Sequence, residues 1–176
     1  MFADLSIRPK NDTSQGMNQK KSQLSPNLSV NEVVRSSTAK RLGIDNTPSE
    51  SELDNLKRIA LNVFQPVRNH LGVPLYVSSG YRSPELNAAI GGSKSSQHML
   101  GQALDIDCDV LGGVRNGELF HYIKDNLNFD QLIWEFGDED NPDWVHVSYV
   151  DYTKNRNRCL QAFRNEDGKT QYKVIC

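Results

Sequence analysis

Trp144-Val145-His146-Val147-Ser148-Tyr149 has the period of a half-buried strand. Successive strand side chains point to opposite faces, so Val145, Val147 and Tyr149 form an apolar set and Trp144, His146 and Ser148 lie opposite it. Leu104-Asp105-Ile106-Asp107-Cys108-Asp109 repeats the period, with a carboxylate at every second position. Strands of this kind need a sheet with one face on a core and the other open. Placed in one sheet, they bring Asp105 and His146 together on the uncovered side.

Further strands are expected at Leu75-Tyr76-Val77 and over 130–136, 158–164 and 170–175, with a helix at 117–127 and a capped helical turn at Ser83-Pro84-Glu85-Leu86-Asn87. Toward the N-terminus the period changes. Leu53, Leu56, Ile59, Ala60, Val63, Phe64, Val67 and Leu71 recur at spacings of three and four, which makes one buried helical stripe from the cap in Thr47-Pro48-Ser49-Glu50 to Gly72. Pro66 should bend this helix slightly, and a shorter helix from about Ser29 should end at Gly43. Helices come first and strands cluster later. The expected class is therefore α+β, with N-terminal helices packed on a mainly antiparallel sheet whose open face carries a zinc site. Residues 1–28, rich in Asn, Gln, Ser and Lys, read as a flexible arm, and 29–176 as a single domain.

Composition excludes several functions. The 176 residues carry 20 basic and 22 acidic side chains, a net charge of −2 that provides no field for a nucleic acid. No apolar run has the ~20 residues of a membrane span, and the N-terminal residues lack the apolar stretch of an export signal. Synthesis in the cytoplasm and no stable membrane insertion are the expectations, with a monomer as the working oligomeric state. Cys108, Cys159 and Cys176 are odd in number and follow no metal-type spacing, which argues against a disulfide framework of the secreted kind and leaves buried or incidental thiols.

His98 stands seven residues before Asp105. An extended chain would separate them by roughly 23 Å at ~3.3 Å per residue, so shared ligation requires a reversal between them. Gly101 is the residue best suited to that turn. His98, Asp105 and His146 then form a two-imidazole, one-carboxylate set that leaves zinc a position for water. A peptidase also needs a proton acceptor. Asp143, three residues before His146, is preferred for its closeness to a ligand, and Glu135 on a neighbouring strand is the competing carboxylate. The acidic run at 138–140 lacks the calcium-loop pattern and reads as a solvated loop.

The chain resembles the zinc D-alanyl-D-alanine carboxypeptidase family, which includes phage L-alanyl-D-glutamate endopeptidases and D,D-dipeptidases. The pattern Ser-x-His-x-x-Gly-x-Ala-x-Asp is matched by Ser96, His98, Gly101, Ala103 and Asp105, its second half by Asp143-Trp144-Val145-His146, and a leading motif by Ser79-Gly80-Tyr81-Arg82-Ser83. The resemblance covers about residues 29–150. It implies one Zn2+ on His98, Asp105 and His146, with Asp143 as catalytic base and acid. Arg82 becomes a catalytic and substrate-binding cation, and Ser96 a substrate-binding hydroxyl. The implied substrates are peptidoglycan stem peptides, cut as by a D,D-carboxypeptidase or an L-Ala-D-Glu endopeptidase. A wall outside the membrane and a chain without an export signal together suggest a phage lysis enzyme acting after membrane permeabilisation. The alternative is a non-catalytic, zinc-stabilised module binding the cell wall or a virion.

Overall fold

The computed structural model describes residues 22–176. Most of the expected arm lies outside these residues, but its end is built into the fold. β1 (Gln23–Ser25) pairs with β2 (Leu28–Ser29) around Pro26-Asn27, and Leu24 and Leu28 are buried in the core. The polar average of the first residues conceals these two anchors.

The expected helix ending at Gly43 is two short ones, α1 (Val30–Val34) and α2 (Ser37–Leu42). Ser36 caps the second through Ala39 N–H, which interrupts the run, and Gly43 closes it in the left-handed conformation. The long helix starts at Glu50. Its cap is Ser49, whose N–H donates to Glu52 at 2.6 Å. α3 (Glu50–Ile59) runs through a π turn (Ala60–Phe64) into α4 (Gln65–Leu71), which ends at Gly72. Just ahead of Pro66, where a slight bend is expected, the helix makes this π turn, with Gln65 N–H reaching back to Ala60 O.

β3 (Val77–Ser79), α5 (Pro84–Ala89), a 3-10 turn (Gln97–Leu100), β4 (Ala103–Ile106) and α6 (Asn116–Asn126) follow. The chain ends with β5 (Gln131–Glu135), β6 (Trp144–Ser148), β7 (Arg158–Arg164) and β8 (Thr170–Val174). The six-stranded sheet has the order β3-β4-β6-β5-β7-β8. It is mixed rather than mainly antiparallel, because β7 lies parallel to β5. The chain leaves β6, loops through 149–157 and lays β7 beside β5 in the same direction. Side-chain period reports which face is buried but carries no information on strand direction.

One face packs on the helices. Leu104, Ile106, Leu132, Val145 and Val147 are fully buried with Leu56, Ile59, Val63 and Phe64 from the long helix and Leu119, Phe120 and Ile123 from α6. Each such side chain contributes roughly 1.5–3 kcal/mol of transfer free energy. The register sets up the other face. Asp105 pairs with His146, His146 with Ile133, and Ile133 with Leu160.

Cys159 and Cys176 form a disulfide across 17 residues, which corrects the expectation of thiols for these two; Cys108 is the buried thiol expected. The return of β8 along β7 brings their Cα atoms to 4.9 Å, a proximity that spacing alone does not reveal.

Candidate metal centre

His98 sits on the 3-10 turn before β4. Gly101 terminates that turn with φ +66°, and its N–H donates to Gln97 and His98 carbonyls. A Cβ there would meet the Glu52 carbonyl at 2.5 Å, so the reversal needs glycine for both dihedral and space. His98 Nδ1 lies 2.6 Å from Gly80 O. A carbonyl only accepts, so Nδ1 carries the hydrogen and Nε2 turns inward.

Asp105 and His146 face each other across the β4–β6 ladder. Asp105 Oδ1 is 2.8 Å from His146 Nδ1 and 3.2 Å from His98 Nε2. One donor atom from each residue falls within 4.8 Å of the others, which is the convergence expected over 98–146. His98 is 3% exposed, and burial pushes its pKa down, against the pull of Asp105. Burial also opposes charge on Asp105, but the adjoining imidazoles outweigh it and hold the carboxyl well below its usual range.

This donor set fits a divalent cation. A neutral His98 presents the Nε2 lone pair to a carboxylate oxygen, and two acceptors in contact are relieved by a shared ion. The mixture of imidazole and carboxylate suits zinc.

Arg82 supports the carboxylate. Its Nη2 donates to Asp105 Oδ2 at 2.7 Å and its Nε to Ser79 Oγ at 2.8 Å, while its backbone N–H donates to His98 O. Arg82 thus ties β3, β4 and the 3-10 turn together, and its guanidinium also borders the open cleft. The cleft, of about 650 Å³, is lined by His98, Asp105 and His146 and by Ser96, Glu135 and Trp144.

The two competing carboxylates lie in different surroundings. Asp143 is exposed, just ahead of β6, and is not among the residues lining the cleft; its backbone N–H donates to Glu135 O at 2.9 Å. Glu135 is 8% exposed and lines the cleft, on the same sheet face as His146 because it pairs with Trp144. Burial raises its pKa to about 7, and Asp105 adds to the rise against the opposing pull of His146 and Arg82. The acidic run beyond it turns on itself, with Asp138 accepting from Asp140 and Asn141 N–H groups.

The far wall of the cleft was not foreseen. Arg158, Leu160 and Arg164 of β7 and Thr170 and Tyr172 of β8 all border it. The available signal was the alternation of Arg158, Leu160, Ala162 and Arg164, but the strand's place beside β5 was needed to interpret it.

No relative was found among curated protein sequences. The family model described as Peptidase M15 matches residues 26–148, a span that contains Arg82, His98, Asp105, Glu135, Asp143 and His146 and stops short of β7. With that match over more than half its length, and with the paired histidines and aspartate gathered on one sheet face, the chain belongs to the Peptidase M15 family.

Proposed function

We propose that this protein is a zinc metallopeptidase that hydrolyses amide bonds in peptidoglycan stem peptides. The observation that carries the reading is the convergence of His98, Asp105 and His146 within 4.8 Å at the floor of an open cleft. When bound there, zinc supplies Lewis acidity, polarising a substrate carbonyl and lowering the pKa of water to about 7. The chain's own residues do the rest. Arg82 holds the Asp105 carboxylate in place and keeps permanent positive charge beside the reacting carbonyl. Ser96, at the entrance to the 3-10 turn, offers a hydroxyl to the peptide backbone.

We assign the proton-accepting role to Glu135 rather than to Asp143. A base must reach the attacking water, and Glu135 borders the cleft while Asp143 does not. Closeness in sequence to His146 favours Asp143, so both are tested. The Cys159–Cys176 disulfide fits work in an oxidising compartment, where a cell wall is found. Action on the wall after phage-type membrane permeabilisation remains the proposed setting.

Purified zinc-loaded protein should cleave synthetic stem peptides, with fragment masses identifying the bond and chelation stopping turnover. Glu135→Gln should lower kcat by roughly 10²- to 10⁴-fold with zinc retained, and Asp143→Asn by less than about tenfold. The opposite ranking transfers the role to Asp143. Binding of stem peptides without cleavage by the zinc-loaded wild type supports the wall-binding module instead.

A further inference from the structure

We propose that Arg158 anchors a subsite for a substrate carboxylate, on the wall of the cleft built by β7 and β8. The inference rests on the peptidase reading and adds the chemistry of the substrate. Arg158 pairs in register with Gln131, two positions from Leu160, which lies opposite Ile133 and, one strand further, His146. Two strand spacings of ~4.8 Å and two residues of ~3.3 Å place its Cα roughly 12 Å from that of His146. An extended arginine side chain covers about half of this distance. A carboxylate it grips therefore belongs to a residue within about two positions of the scissile amide, at ~3.4 Å per residue.

The charges in the cleft single out Arg158. Arg82 is committed to Asp105. Arg164 donates to Gly168 O and Thr170 Oγ1 and lies over the Phe136 ring at 4.8 Å. Asp130, whose backbone carbonyl accepts from the Arg158 N–H, has its carboxylate engaged by Arg156 and Gln97. Arg158's guanidinium, by contrast, is exposed and has no hydrogen bond or ion pair among the described residues, although it borders the cleft. The cleft's acids are Asp105, three strands away in the row of Leu160, and Glu135, which pairs with Ala162 on the far side of Leu160 from Arg158. A planar, permanently charged fork without a protein partner is suited to bidentate capture of a carboxylate.

The test uses a stem pentapeptide with free carboxylates and counterparts in which each carboxylate in turn is a carboxamide. Hydrolysis is followed with zinc-loaded protein, and equilibrium binding by calorimetry with metal-stripped protein. In the wild type, amidation of one particular carboxylate should raise KM and Kd about tenfold. Arg158→Gln should cause the same rise for the acidic peptide, leave the amidated one unchanged and keep kcat within about twofold; Arg158→Lys should restore part of the affinity. Unchanged KM and Kd in Arg158→Gln, equal losses for both peptides, or no binding of the acidic peptide by the wild type would overturn the subsite. Arg158-dependent binding without any cleavage supports the subsite and defeats the peptidase reading. Cleavage indifferent to Arg158 does the reverse.

Discussion

Gly101 shows how a single residue sets the candidate metal site. It lets the chain turn between His98 and Asp105, and its φ of +66° leaves no room for a side chain against the Glu52 carbonyl. Gly101→Ala should cost at least about 1–2 kcal/mol from the dihedral alone, with the clash in addition. Denaturant unfolding should show that loss together with weaker zinc binding, because the strain falls on the turn carrying His98; an unchanged unfolding midpoint would disprove the dependence. The requirement was legible in the sequence, since reach alone demanded a reversal at this glycine. The surroundings of the two carboxylates were not. Nearness along the chain favours Asp143, while Glu135 borders the cleft through the β5–β6 register, which only long-range pairing specifies.

At the scale of elements, the strands and the long helix were readable because period and burial agree. Leu104, Ile106, Val145 and Val147 are all fully buried, and the His146 face is the open one. The parallel placement of β7 was not readable, and with it went the role of the last two strands. β8 is exposed along its whole length, and its far end is fastened to β7 by the Cys159–Cys176 bond. Closing a loop of this size contributes about 3 kcal/mol in the chain-entropy view. Cys176→Ser should lower the unfolding free energy by up to about that amount and raise amide exchange in β8 before the rest of the sheet. Equal exchange in the oxidised protein and the variant would show that the hairpin holds without its staple.

In the whole molecule, helices cover one sheet face, and three separate segments deliver the candidate ligands to the other. His98 comes from a turn, Asp105 from β4 and His146 from β6, so an ion shared among them couples residues 48 positions apart in sequence (146 − 98). Binding to the native state alone stabilises it by RT ln(1 + [L]/Kd), about 4 kcal/mol at a thousandfold excess over Kd. The central claim is tested most directly by zinc titration of the metal-stripped protein, with x-ray absorption of the loaded form. The predicted result is one ion per chain in a first shell of nitrogen and oxygen at about 2.0–2.2 Å that includes two imidazoles, with binding lost in His98→Ala, Asp105→Asn and His146→Ala alike. Zinc affinity that survives any one of those substitutions undiminished would contradict it.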